Sequence, residues 1–262
     1  MDARLALRAV DIATDVHCPQ AQQDCLEGFT EGLVPGPAEQ LRAAAMDPAA
    51  ARRFLAGRAA LRRFAGDVLG LPASQLQPSY SCPQCGSGPG LSHGRPGFLH
   101  RGRPAPLLLS MARTGNWVLL AAVSPPGRGE GLGVDAEDPG RFGFEGFDAV
   151  ALTPSERLTL AGLHGGALLR ERARLWSRKE AWLKMTGDGL RVDPRTVAAL
   201  EEPGVRDLPS TATGLPASLV AAVALARPAG SAPRAAVEAQ AQRATGGALP
   251  RRQCQQHRWR SG

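Results

Sequence analysis

The apolar positions change period several times along the chain, and each change marks an element. From Pro48 to Gly70, "PAAARRFLAGRAALRRFAGDVLG" repeats apolar residues at spacings of three and four. The stripe Phe54, Leu61, Ala65 and Val68, with Leu55, Phe64 and Leu69 beside it, predicts an amphipathic helix stopped by Gly70 and Pro72. Arg58 falls inside that stripe, where an unpaired guanidinium is costly unless it snorkels to water. Residues 3–14 alternate loosely and predict a first strand, whereas residues 26–46 carry Gly and Pro that break any pattern. The Gly- and Pro-rich stretch 82–106 reads as a long loop. "PLLLS", "NWVLLAAVS" and "GLGVDAE" follow as short strand-like runs, with turns at 114–116 and 124–131, and predict an antiparallel meander.

Thr153-Pro154-Ser155-Glu156 has the form of a helix start: a capping threonine, a proline at the first helical position and a glutamate that completes the capping box. That helix is expected to run to His164-Gly165-Gly166, and a second one follows, containing "RLWSRKEAWLKMTGDGL". The last strand, "ASLVAAVALA", is similar to "NWVLLAAVS", a hint of two related halves. Residues 229–262 form an expected disordered basic tail.

Composition narrows the class. With 43% hydrophobic and 21% charged residues in 262, the chain is an ordinary globular protein, and a net charge of +7 favours acidic partners. Neither a nucleic-acid motif nor a stacking-aromatic pattern accompanies that charge, so nucleic-acid binding is not expected. No apolar run approaches the roughly 20 residues of a membrane span. Asp2, Arg4, Arg8 and Asp11 stand where a signal peptide would be apolar. The cysteines are five, an odd number, and scattered apart from Cys82 and Cys85, so a cytoplasmic home is expected.

Two segments carry chemistry. On a strand, Asp135 and Glu137 share a face, opposite Leu132, Val134 and Ala136. On the helix, Trp176, Glu180 and Lys184 follow one another at i, i+4 and i+8. Glu180 could complete a three-carboxylate site with Asp135 and Glu137, an all-oxygen set suited to Mg²⁺, with Lys184 one turn on to neutralise a phosphate. The plain alternatives are a solvated D-x-E face and a surface Glu180–Lys184 pair contributing a few tenths of a kcal/mol. Glu156 reads as a cap. Cys82-x-x-Cys85 with His93 offers three zinc-type ligands where a structural site needs four, and its role stays open.

"GVDAE" followed about forty residues later by "WSRKEAWLKMTGDGL" resembles the signature of the Sfp-type 4′-phosphopantetheinyl transferases. "FLAGRAALRR" looks like that family's early arginine-bearing helix and "HGRPGF" like its loop with a basic residue before proline. The resemblance implies an α+β fold of two similar α/β lobes in one chain, related by a pseudo-twofold axis, here residues 1–126 and 127–228. It implies a monomer that transfers the phosphopantetheine arm of coenzyme A to a serine of acidic acyl or peptidyl carrier proteins of polyketide, nonribosomal peptide or fatty acid synthases. Asp135, Glu137 and Glu180 would hold Mg²⁺; Glu180, Lys184 and Asp135 would be catalytic. Glu180 would take the serine proton, directly or through a water, and Lys184 would bind phosphates. Arg58 would meet the 3′-phosphate, Arg95 and Pro96 the adenine and Ser110 another part of coenzyme A, while Lys179, about 100° away on the helix, would serve a neighbouring phosphate of coenzyme A or a structural pair.

One departure stands out: the family has Ser-His-[ST] where this chain has Ser110-Met111-Ala112. A methionine donates no hydrogen bond to phosphate, a loss of about 1.5–3 kcal/mol if uncompensated; Arg113, His93 and Arg101 are the candidates to compensate. The rival expectation is a degenerate module that binds coenzyme A or a carrier protein without transfer.

Overall fold

A computed structural model describes residues 4–13 and 33–226. The expected tail at 229–262, residues 3 and 14 of the first strand, and residues 26–32 of the irregular stretch lie outside the described residues. The first elements are β1 (Leu5–Asp11), α1 (Pro37–Ala44), α2 (Pro48–Leu69), β2 (Leu76–Pro78), β3 (Tyr80–Cys82), β4 (Gly86–Gly88), β5 (Phe98–His100) and β6 (Arg103–Pro104). They are followed by β7 (Leu108–Thr114), β8 (Trp117–Val123), β9 (Gly131–Glu137), α3 (Phe147–Ala151), α4 (Pro154–Thr159), α5 (Gly165–Thr186), β10 (Val205–Asp207), α6 (Ser210–Thr213) and β11 (Val220–Ala226). The chain is therefore mixed α+β.

Two three-stranded antiparallel sheets, ordered β1-β8-β7 and β10-β11-β9, form the centre. Strand alternation assigns their faces. Val118, Leu120 and Ala122 of β8 pack with Leu61, Phe64 and Ala65 of α2. Leu119, Ala121 and Val123 of the same strand pack with Leu132, Val134 and Ala136 of β9 and with Ala221, Val223 and Leu225 of β11. The far face of the second sheet, Ala222 and Ala224, meets Ala181 of α5. The layers thus run helix, sheet, sheet, helix. Each fully buried Leu or Phe contributes roughly 1.5–3 kcal/mol.

The face of β9 toward α5 is built from small residues. A Cβ on Gly133 would overlap the carbonyl oxygen of Ala181 and stand 2.6 Å from the Met185 nitrogen. Opposite it on β11 is Ala224, and Ala222 lies opposite Asp135. Lacking a side chain at 133, the strand lets the helix backbone come into direct contact.

The α2 prediction holds at both ends: the Asp47 side chain accepts from the Ala50 N–H, and Gly70 closes the helix in the left-handed region. The Thr153–Glu156 box is formed too, with Thr153 N–H to Glu156 Oε2 at 2.9 Å. Its helix stops at Thr159, however, short of His164. Three expectations are corrected. The meander breaks after β8, because β1 and β7 already occupy both edges of that strand, and β9 pairs with β11 instead. The "irregular" 26–46 contains α1, which Pro37 begins and Glu39 secures by accepting from the Gly36 N–H at 3.0 Å. The 82–106 loop carries the short pairings β3–β4 and β2-β5-β6.

Because Gly133 sets the spacing of α5 on β9, Gly133→Ala is expected to cost at least about 3 kcal/mol of unfolding free energy in urea titrations, the upper range for overpacked cores. A loss under about 1 kcal/mol would mean that the helix can move away freely.

Candidate active site

Asp135 and Glu137 lie on the face of β9 toward α5, and Glu180 and Lys184 approach from the helix. Lys184 Nζ bonds Asp135 Oδ1 at 2.6 Å and the Val134 carbonyl at 3.1 Å. The N–H of the same Val134 goes to Ser110 Oγ on β7 at 2.9 Å. Ser110 therefore ties the two sheets together, and its hydroxyl is already engaged.

Asp135 is 5% exposed. Its Oδ2 and the neighbouring Ser177 Oγ are buried and reach hydrogen-bond geometry with no group among the described residues. Burial pushes the Asp135 carboxyl above its usual range, and Lys184 only partly opposes this. Burial first and then the charge of Asp135 push Glu137 up to about 8. Glu180 is raised as well, by burial against Lys184 and then by Asp135. Burial works against the Lys184 ammonium, yet Asp135, Glu180 and Glu137 together hold it above its ordinary value. Three acids thus share one cation. Their oxygens do not all close to within 4.8 Å of one another, as expected of like charges with one ammonium among them.

Beside this cluster is a cavity of about 530 Å³ lined by Arg58, Arg95, Pro96, Ser110, Met111 and Lys184, among others. Five of the expected coenzyme A residues therefore share one wall system. Arg58 is half-buried, its guanidinium 5.2 Å from the Phe54 ring centroid and 4.7 Å from that of Tyr80. Arg95 donates to the Met185 carbonyl at 2.8 Å at the end of α5.

Lys179 does not join them: of its two expected roles, the place on coenzyme A is corrected and the structural pair is the one formed. Its side chain is fully buried and pairs with Glu156 at 2.7 Å, donating also to the carbonyls of Pro194 and Val197. It lies off the Trp176–Glu180–Lys184 face, and the capping Glu156 is the partner that the sequence did not connect to it.

Two further basic residues neighbour Arg58. Arg42 donates to the Ser92 carbonyl at 2.8 Å, and Arg58 reaches the same oxygen at 3.4 Å. Arg113 lies with Met111 over Gly57, next to Arg58 on α2. Burial and the neighbouring guanidiniums hold Arg42 and Arg113 below the usual arginine value. Among the described residues none of Arg42, Arg58 and Arg113 has a carboxylate partner. Sequence named Arg113 only as a candidate; Arg42 was hidden in a stretch with no visible period.

Lys184 thus belongs both to the acidic cluster and to the lining of the cavity. Residues 131–219, from the start of β9 to the residue before β11, match the family model of the 4′-phosphopantetheinyl transferase superfamily. The match supports a transferase-type function of the phosphopantetheinyl kind. No curated protein matches the chain. Among the described residues no helix is long and apolar enough to cross a membrane.

The acid cluster predicts a pH effect. Glu137 keeps its proton in the folded protein up to about 8, whereas its ordinary value is 4.5. Between these values the folded state binds more protons than the unfolded chain, so this group's stabilising contribution, full at low pH, is lost as pH rises to about 8. In metal-free buffer, wild type should lose stability relative to Glu137→Gln across that window in denaturant titrations; parallel curves would contradict it.

Proposed function

We propose that the protein is a Mg²⁺-dependent 4′-phosphopantetheinyl transferase that moves the phosphopantetheine arm of coenzyme A onto a serine hydroxyl of acidic acyl or peptidyl carrier proteins. The observation that carries this reading is Lys184, which belongs both to the Asp135–Glu137–Glu180 cluster and to the wall of the basic cavity. Support also comes from two halves of the same strand–helix–strand–strand order, in which β8 and β11 are each the middle strand. We take residues 1–126 and 127–228 as two lobes related by a pseudo-twofold axis.

The donor set fits Mg²⁺. The buried Asp135 Oδ2 meets no hydrogen-bond geometry among the described residues beyond the loose approach of Ser177. It and the Glu137 and Glu180 carboxyls, each raised by burial and by Asp135, are oxygen ligands that a divalent cation would satisfy. Asp135, Glu137 and Glu180 would hold it, and when bound the ion supplies a Lewis acid and template for the pyrophosphate oxygens. Lys184 neutralises charge on the leaving oxygen of adenosine 3′,5′-bisphosphate. Glu180, directly or through a water, takes the proton from the incoming serine hydroxyl. Arg58, with Arg42 and Arg113 beside it, receives the 3′-phosphate, and Arg95 and Pro96 flank the adenine.

Met111 favours the rival reading, a module that binds without transfer, because it lines the cavity where the family has a histidine. Arg113, two residues along on the same side of β7, answers it by placing a guanidinium beside Arg58. Arg113→Ala is then expected to weaken coenzyme A binding by about 10-fold or more, the worth of one charge-assisted bond, in calorimetric titrations. Dephospho-coenzyme A, which lacks the 3′-phosphate, should bind wild type and variant alike. Equal loss for both ligands would remove Arg113 from the 3′-phosphate.

The reaction itself is read by intact mass of an apo carrier protein after incubation with the protein, coenzyme A and Mg²⁺. A gain of one phosphopantetheine arm with wild type, abolished in a folded Glu180→Ala variant, is the expected result. No gain across several acyl and peptidyl carriers, with coenzyme A still bound, would leave the binding module.

A further inference from the structure

The stretch that opens with Cys82-Pro83-Gln84-Cys85-Gly86 is not absorbed by the transferase reading. The sulfurs of Cys82 and Cys85 and a ring nitrogen of His93 all lie within 4.8 Å of one another, the one such group of three among the described residues. The fold builds this arrangement deliberately. β3 and β4 pair with Cys82 opposite Gly86, and Gly86 turns the chain at φ 86°. The Cys85 N–H closes the turn onto the Cys82 carbonyl at 3.2 Å. The backbone N–H groups of Gln84 and Cys85 also donate to the Cys82 sulfur, the kind of outer hydrogen bonding that orients a ligand atom. His93 is delivered by a second segment: Ser81 and Arg95 exchange both backbone hydrogen bonds, at 2.9 and 2.8 Å. His93 Nε2 is buried and has no hydrogen-bond partner among the described residues, a state that costs free energy unless something occupies it.

We propose that Cys82, Cys85 and His93 bind a zinc ion, with water in the fourth position. Two sulfurs and an imidazole suit zinc and not magnesium. Ligand atoms around tetrahedral zinc stand about 3.5–4 Å apart, so the group closes by only about 1 Å to hold the ion. Cys85 is exposed and gives the ion a way in. The ion is a staple. It joins the β3–β4 turn to the 92–95 segment, whose Ser92 carbonyl receives Arg42 and Arg58 and whose Gly94, Arg95 and Pro96 line the cavity together with Cys82 and Pro83. Zinc therefore sets the shape of the basic wall from outside the reacting groups.

The test is metal content of the full chain after expression in zinc-supplemented medium and desalting. About one zinc per chain by mass spectrometry of the elements is expected. Cobalt(II) exchanged into the protein should give thiolate charge-transfer absorption and the visible bands of a tetrahedral site. Cys85→Ser and His93→Gln should each lower zinc content at least 10-fold, while a triple variant with Cys18, Cys25 and Cys254 changed to serine keeps it. Chelation should lower the Tm of wild type and leave that of Cys85→Ser unchanged. Wild type with under about a tenth of an equivalent of zinc and no cobalt–thiolate band would overturn the proposal. A Cys82–Cys85 disulfide found by mass, or loss of zinc in the triple variant, would overturn it too.

Discussion

The approach of α5 to β9 at Gly133 is the constraint on which the rest depends. A side chain there would collide with the helix backbone, and a raised helix would lift Glu180 and Lys184 away from Asp135. The neighbouring surface of β11 is equally small, with Ala222 beside Asp135. A floor of glycine and alanine offers the acids no side-chain hydrogen-bond donors. Asp135 relies chiefly on what comes from above, which is the Lys184 ammonium on one oxygen, with the Ser177 hydroxyl close by. The packing that stabilises the layer is thus also what leaves a buried carboxylate unsatisfied, and burying such a group is costly without compensation.

Helix geometry then decides the fate of two lysines. Lys179 and Lys184 are five positions apart, which places them on different sides of α5. One looks across the strand, reaching the carbonyl of Val134 and the acids. The other is buried against residues 194–197 and against Glu156, which at the same time caps α4. Glu156 accepts from the Thr153 and Ala199 N–H groups as well, so a single carboxylate holds a helix start, a loop and the helix that carries the site. Its charge is balanced by Lys179 and cannot serve a ligand.

Local signals in the sequence were the ones that survived. The period of α2, the hairpin of β7 and β8, and the Thr153 box depend on neighbours a few residues away, and all are present. The common face of Asp135 and Glu137, and that of Glu180 and Lys184, follow from strand and helix periods alone. Pairing over long separations was not legible. Nothing in "GLGVDAE" says that β1 has already taken the free edge of β8, and nothing near Lys179 names a partner 23 positions earlier. α1 was missed because a Gly-Pro pair was read as a breaker when the proline in fact begins the helix. Arg42, which donates to the Ser92 carbonyl beside Arg58, went with it.

Arg95 shows how tightly the parts are coupled. Its backbone is paired with Ser81 at the edge of the cysteine turn, while its guanidinium reaches the carbonyls of Met185 and Lys184. Those carbonyls sit at the C-terminal end of α5, where the helix dipole favours a cation. One residue therefore links the wall that holds the arginines to the helix end that holds Lys184. A guanidinium engaged in this way has part of its donor set committed before any ligand arrives, so its contribution to binding is chiefly position and stacking surface. Among the described residues the guanidiniums without a carboxylate partner are those of Arg58, which lines the cavity, and of its neighbours Arg42 and Arg113, so on the proposed transferase reading they are the ones to supply charge for a phosphate.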